Sequence, residues 1–328
     1  MMKPPRPAIG QPSTRLRSRH VVRSLLLAAA IGSVTLNADA QPSPSSRPKA
    51  AGRGAPSKVG ALRVITGKPG SVVYLVNVRQ GVTNDAGLLD MPRLKAGAYS
   101  MRVRTKGHSD WRRAIVVPGG ATRTVRVTQP ATVDQAELRY QEADELRESG
   151  KLDAAVAAYN QAIELRPALY EARIGLARCL ISLQRFDEAE KQIDAAMRDH
   201  PGPDPEAQTV LANLRRYQGL TVESISEYRK ALLLARGRSP EAHIGLAIAL
   251  EQAGKADDAI NEYRIGIDQD MDTEPILYFL LGSALEKYQR YKEAIDAYGV
   301  YLRLDPAGQY ASAVESIIAR LKEELDRK

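Results

Sequence analysis

The 328-residue chain holds a single cysteine, Cys179, so no internal disulfide can form and none can brace the fold. Aromatic residues make up only 5%, with one Trp and two Phe. Of the four histidines, His20, His108, His200 and His243, no two stand at metal-ligand spacing, and there is no H-E-x-x-H or C-x-x-C. A G-x-x-x-x-G-K-[ST] phosphate loop and a G-x-S-x-G nucleophile turn are missing too. The acids at Asp257-Asp258 and between Asp268 and Asp272 lack the Gly and the closing Glu of an EF-hand loop. These gaps leave no catalytic, metal or cofactor constellation. The expectation is a non-enzymatic protein without cofactors.

Long apolar runs are scarce as well. The longest, residues 24–36 (SLLLAAAIGSVTL), is short for a bilayer span. It follows the cations Arg15, Arg17, Arg19 and Arg23 and precedes Ala38-Asp39-Ala40, which has the small-x-small form of a signal-peptidase site. Residues 1–40 therefore read as a signal peptide cut after Ala40, with a soluble, periplasmic destination. Residues 41–58 (QPSPSSRPKAAGRGAPSK) have too few apolar side chains to form a core and read as a disordered linker.

Charge is present but unevenly spread. The formal total is +8. Residues 41–133 carry sixteen Lys and Arg against three acids, whereas residues 134–328 carry twenty-five against thirty-five. A basic front segment thus precedes an acidic remainder. It can seek an anionic surface outside the chain or dock on its own acidic half.

The acidic half repeats. GKLDAAVAAYNQAIELRP, starting at Gly150, recurs in altered form from Gln184, Gly219, Gly254 and Gln289. One large residue marks each copy, namely Tyr159, Ile193, Tyr228, Tyr263 and Tyr298, at spacings of 34, 35, 35 and 35. A small residue lies four positions earlier, at Ala155, Ala189, Ser224, Ala259 and Ala294. A second helix upstream carries Leu176-Ala177, Leu211-Ala212, Leu246-Ala247 and Leu281-Gly282, with Glu142-Ala143 in the first copy. A period of this length signals a solenoid of helix pairs. Large and small residues at fixed offsets let two antiparallel helices pack closely. Residues 309–328 have apolar side chains at helical spacing on one face only, as a capping helix does.

This pattern resembles the tetratricopeptide repeat (TPR) family over residues 134–308. It departs from that family at Glu142, at Arg236 and Met271 in place of closing prolines, and at Tyr301 in place of a small residue. The resemblance implies five repeats and a concave groove lined by the first helix of each. Counting from residues 136, 170, 205, 240 and 275, it puts Tyr140, Asp144, Arg178, Thr209, Asn213, Arg216, Tyr217, Ile248, Phe279 and Ser283 in a peptide-binding groove. Ile174 and Ile244 fall at the same kind of position and read better as packing residues. Tyr140 and Asp144 replace the Lys and Asn that a two-carboxylate clamp requires, so that ligand class is excluded.

Between linker and repeats, residues 59–130 change period. Stretches at 61–66, 71–77, 99–105, 114–117 and 122–128 are rich in β-branched residues, with turn clusters between them. They predict a small antiparallel sandwich. The order of Pro69, Gly70, Gly81, Thr83, Gly97, Tyr99 and Gly107 resembles the PEGA module, and is similar to carboxypeptidase-regulatory and carbohydrate-binding-like sandwiches. His108 stands where PEGA carries Tyr. Such a module implies an accessory piece of a bacterial envelope protein. Arg102 and Arg104 share one strand face, opposite Tyr99, Met101 and Val103. With Arg112 and Arg113 beside Trp111, they are candidates for contact with an anionic glycan, lipid headgroup or acidic partner; ordinary edge protection is the other reading. The fold class expected is thus a β-sandwich followed by an α–α superhelix. Two functions follow. The first is an exported adaptor whose groove holds a protein or peptide while the β module contacts the envelope. The alternative is a glycan- or envelope-polymer-binding protein acting through the β module. Nucleic acid is not expected as a partner.

Overall fold

The computed structural model describes residues 59–200, 202–270 and 274–327. The expected signal peptide and linker lie outside the described residues. Seven strands come first, β1 (Val59–Ile65), β2 (Val72–Leu75), β3 (Val78–Val82), β4 (Leu88–Lys95), β5 (Gly97–Arg104), β6 (Trp111–Val117) and β7 (Thr122–Arg126). They form a three-stranded sheet in the order β4-β1-β7 and a four-stranded sheet in the order β3-β2-β5-β6. All pairs are antiparallel except β1 with β7, which is parallel and departs from the all-antiparallel expectation. Alternation decides which side chains fill the space between the sheets. Leu62, Val64, Val73, Leu75, Met101, Val103, Ile115 and Val117 are all buried there.

Two strands had no clear sequence signal. β4 contains Pro92 and three charged residues, a composition that hides a strand; it is an edge, where a missing backbone donor is tolerated. The β2–β3 connection is a two-residue turn with Val76 (φ 49°) and Asn77 (φ 62°) both left-handed. A β-branched residue at positive φ is strained, by roughly 1–2 kcal/mol. The tip is held in place by what it touches, since Asn77 Nδ2 donates to Glu206 across 3.0 Å.

Eleven helices follow among the described residues. Five first helices are α1 (Gln135–Glu148), α3 (Tyr170–Ser182), α5 (Pro205–Tyr217), α7 (Pro240–Gln252) and α9 (Ile276–Lys287). Each is followed by a second, α2 (Leu152–Leu165), α4 (Phe186–Asp199), α6 (Thr221–Leu234), α8 (Ala256–Asp270) and α10 (Tyr291–Leu304), and α11 (Ala311–Asp326) closes the series. Starts are set by side-chain caps at Asp134, Asp204 and Ser239, and by Pro205 and Pro240 in the first turn. The turns inside each pair need one left-handed residue. Gly150, Gly219 and Gly254 supply it at φ 72–79°, and Gln184 and Gln289 are forced into it at φ 59°.

The repeating large residue is the core of each pair. Tyr159, Ile193, Tyr228, Tyr263 and Tyr298 are essentially inaccessible. Glycine makes room for three of these rings, because a Cβ at Gly175 or Gly245 would lie 2.4 Å from the ring of Tyr159 or Tyr228 respectively, and one at Gly282 would lie 2.7 Å from that of Tyr298. After Ile193, the equivalent position in the next repeat holds Val210. Tyr301 breaks the small-residue pattern where no further repeat follows. It is buried, and its hydroxyl accepts from the Tyr310 N–H at the start of α11 across 3.2 Å. Val314 and Leu321 of α11 are fully buried against this last pair, as a capping helix requires.

Candidate interaction face of the array

Successive first helices touch one another (α1 with α3, α3 with α5, α5 with α7), while direct contacts of that extent between successive second helices do not occur among the described residues. The array therefore curves with the first helices inside. Their second positions recur as Glu137, Glu171, Glu206 and Glu241, an acidic ladder at the helix N-termini, where the backbone dipole favours negative charge.

The four-stranded sheet docks on this inner face through its basic residues. Tyr74 donates to Glu148 (3.0 Å) and Arg102 to the Tyr140 hydroxyl (3.0 Å). Arg104 grips Asp110 of its own module with two bonds (3.0 and 2.8 Å) and reaches Asp144 of α1 with its remaining nitrogen. Its guanidinium also lies over the Tyr140 ring, 4.5 Å from the centroid. Farther along, Arg112 pairs with Glu171, Asn77 with Glu206, Lys95 with Asp268, and Arg238 of the α6–α7 turn donates to the Ala98 carbonyl. Gln141 of α1 binds the strand connection on both sides, accepting from Gly107 N–H (3.3 Å) and donating to His108 O (2.7 Å). Of the two destinations open to a basic segment, the chain's own acidic array is the one occupied.

At the centre, Asp144 is surrounded by Arg104, Arg102 (3.7 Å) and Arg147 (3.6 Å) and accepts from the Tyr159 hydroxyl. Burial alone would raise its pKa, but the three guanidiniums and the hydroxyl hold it far below the usual carboxylate range. Burial, with Asp144 adding to it, pushes the Tyr140 phenol up, so it stays a neutral donor and acceptor. Glu137 is also raised, by burial and by the nearby Asp110. The connection between modules is fastened at both ends. Gln129 donates to Val103 O and Ser109 O (3.0 and 2.9 Å), and Asp134 both caps α1 and pairs with Arg166.

The candidate residues divide accordingly. Arg102 and Arg104 lie on β5, a central strand, so edge protection does not explain them; Arg104 is buried, and both are committed to the array. Arg112 is half-exposed and paired, whereas Arg113 is exposed over Trp111. Of the groove set, Tyr140, Asp144, Thr209, Asn213, Arg216 and Ile248 are buried. Several of them are fully engaged, since Thr209 bonds its own helix at Pro205 O and Asn213 accepts from Tyr228 (2.5 Å). Arg178 is tied to Glu241 and Glu206. Tyr217, Phe279 and Ser283 are partly exposed. Ile174 and Ile244 are buried, as packing residues should be. Sequence reasoning missed the glutamate ladder, although its period of 34–35 was legible in Glu137, Glu171, Glu206 and Glu241. It also missed Tyr74, for which nothing in the sequence distinguished a docking residue from a core one.

On the sheet, the small side chains Ser100 and Ala114 leave a hollow of about 290 Å³, bordered by Asn77, Arg102, Arg112 and Arg113. Arg102 is matched by Asp110 and Asp144 and Arg112 by Glu171, while Arg113 lies over Trp111.

Profiles described as tetratricopeptide repeat match residues 146–214, and again 209–272 and 244–309. The helical array is a TPR array. One solved structure agrees in fold. The Cut9–Hcn1 hetero-tetramer of the APC/C aligns with 18% identity and a TM-score of 0.51 over 58% of this chain and 37% of that one. The TPR protein TTC0263 of Thermus thermophilus aligns with 18% identity and a TM-score of 0.49 over 57% of this chain and 98% of that one. YrrB, a TPR protein with an unusual peptide-binding site, aligns with 17% identity and a TM-score of 0.38 over 56% of this chain and 93% of that one. No curated protein sequence matches this chain. The similarity covers the TPR array and leaves the β module to be read from its own residues.

Proposed function

We propose that this protein is a non-enzymatic interaction scaffold, exported by its N-terminal signal, in which the TPR array and a PEGA-like β module act as one unit. The observation that carries this reading is the docking itself. The inner face of the array engages a folded protein surface through aligned charges and buried aromatic-backed arginines, which is how such a face recognises protein. The β module covers the inner face from α1 to the start of α7. An outside protein or peptide is then left the part of the groove near α9, where Phe279 and Ser283 are partly exposed, with Tyr217 partly exposed at the C-terminal end of α5. Phe279 stacks on Tyr310 with ring centroids 4.7 Å apart, giving a flat aromatic surface suited to an apolar anchor.

The test is a photo-crosslinking residue placed at Ser283 in the full-length protein and exposed to envelope extract. It should capture a protein that the same residue at Val222, on the outer helix α6, does not. Equal capture at both positions, or none at Ser283, overturns the groove assignment. The alternative, binding of a glycan or envelope polymer through the β module, loses Arg102 and Arg104 to the array and rests on Arg113, Arg123 and Arg126. Retention on cell-wall material that drops when these three are changed to Ala would favour it. Export is checked by fractionation and by finding Gln41 as the mature N-terminus.

A further inference from the structure

His243 occupies the fourth position of α7, and its ring is buried. Nδ1 lies 2.6 Å from a carboxylate oxygen of Glu262 on α8, and Nε2 lies 3.1 Å from the carbonyl oxygen of Gly237. Both neighbours are acceptors. A neutral imidazole has one N–H, so it can satisfy only one of them and would turn a lone pair on the other. An imidazolium satisfies both.

The second repeat shows what this position does. Arg173, the equivalent residue of α3, donates to Gln192 on α4 (3.1 Å) and to the Pro167 carbonyl (3.1 and 2.8 Å). The separations match, nineteen residues forward to the second helix and six back to the turn between repeats. In repeat two the double donor is a permanent cation; in repeat four it is an imidazole, which donates from both nitrogens only while it carries two protons. The other described histidines differ. His108 and His200 each have one ring nitrogen bonded to a carbonyl (3.0 Å in both) and are not buried.

The turn that His243 holds is the one that grips the β module. Arg236 (φ 51°) and Gly237 (φ 71°) are both left-handed, and Arg238 follows directly, donating to Ala98 O and lying against Gly97. We propose that His243 is a proton-dependent clamp, which in its charged form ties α8 and the 236–238 turn together and so keeps Arg238 seated on the β module. Other charged groups on the surrounding elements are already matched. Glu241 of α7 is bound by Arg178, Glu227 of α6 by Gln208 and Lys230, and Asp268 of α8 by Lys95. Gln269 also donates to Gly237 O (2.7 Å), so loss of the proton loosens the turn without freeing it. The direction is fixed by the donors. The clamp is closed while the ring carries both protons, the low-pH form, and opens when it loses one.

Hydrogen–deuterium exchange on the full-length protein at pH 5.5 and pH 8, corrected for intrinsic exchange, tests this. Protection at residues 237–239 and at 97–98 should fall roughly tenfold to a hundredfold at the higher pH, the worth of one charged hydrogen bond. His243→Arg, which copies Arg173, should keep the protection high at both values. Arg238→Ala should abolish the change at 97–98 and retain it at 237–239. Should His243→Arg fail to fold, NMR of the wild-type ring decides. Both nitrogens carry protons at pH 5.5 if the clamp exists, and a neutral tautomer there overturns it. Equal protection at the two pH values in the wild type, or an unchanged pH response in a folded His243→Arg protein, overturns it as well.

Discussion

Asp144→Ala is the most demanding perturbation of the module interface. The carboxylate sits 8% exposed against Arg104, itself 6% exposed, with Arg102 and Arg147 within 3.7 Å and the Tyr159 hydroxyl donating to it. Removing it takes the carboxylate from Arg147 and one of two from Arg104 and Arg102, and breaking a buried cluster in this way costs about 3–5 kcal/mol. Arg104→Met is milder. It keeps the alkyl stem on Tyr140, and Asp144 retains Arg147, Arg102 and Tyr159. Its cost should be about 1–3 kcal/mol, mainly from Asp110 losing two bonds. The double variant should be less destabilised than the sum of the two by about 1 kcal/mol or more, since both single changes break the same Arg104–Asp144 contact and the double variant loses it only once. Urea unfolding supplies the free energies. Limited proteolysis at the connection, where Val133 is 88% exposed, reports whether the β module has left the array. Acid adds an independent check. The pKa of Asp144 is depressed in the folded state, so its contribution is complete above the ordinary carboxylate range and is lost as pH falls below about 4 toward the folded value. Asp144→Asn should flatten stability over that acid limb. A cost under about 1 kcal/mol for Asp144→Ala, or single effects that add within about 0.5 kcal/mol, would refute the claim that this pair anchors the module.

Other expectations are simpler to check. Gln289→Gly relieves a left-handed side-chain-bearing residue at a helix turn and should raise stability by about 0.5–1 kcal/mol in thermal unfolding. Gly245→Val puts carbon where the Tyr228 ring lies and should destabilise by about 1–3 kcal/mol; adding Tyr228→Ile, which recreates the Ile193 and Val210 combination, should recover most of the loss. Burial pushes the Cys179 thiol up to about 12, so a disulfide reagent at pH 8 should leave the native protein unmodified and react at once after unfolding. Arg112→Ala, at a partly exposed pair, should cost only about 0–1 kcal/mol and leave the module docked in the proteolysis assay.

The helical half was legible because its physics repeats. A tyrosine that must be buried, a small residue that must admit a neighbour and a left-handed turn each recur at one offset, and five copies average out the exceptions. The β module lacked that redundancy. β4 was hidden by Pro92 and its charges, and β3 by a turn whose Val76 violates the usual residue preference. Arg102 and Arg104 could be placed on one face from alternation alone. What faces them could not, since an anionic glycan, a lipid headgroup and Asp144 present the same charge. The groove set was transferred from a repeat pattern that assumes an empty inner face. Here that face meets the β module, and Tyr140 and Asp144 serve the fold.

The polar residues inside the repeats follow a rule that separates structure from recognition. The repeat-marking tyrosines Tyr159, Tyr228, Tyr263 and Tyr298 each bond through the hydroxyl to the residue twelve positions earlier, accepting from Arg147 or Arg216 and donating to Glu251 or Glu286. Where the second helix has Ile193, position twelve holds Ile181, and both are buried. A buried phenol needs a partner and an isobutyl-like chain does not, so the two positions change together. Where the partner is an arginine, the same hydroxyl donates to a polar residue three positions further back, Asp144 or Asn213. Where it is a glutamate, the hydroxyl donates to the glutamate itself; of those further positions, 248 is an apolar Ile and Ser283 also bonds the Tyr298 hydroxyl. The first and third repeats thus spend their inner polar side chains on internal bonds. The fourth has an apolar residue there, and in the fifth Ser283 keeps partial exposure while bonding Tyr298. The position of the β module supports reading the α9 end, with Phe279 and Ser283, as the surface left for a partner.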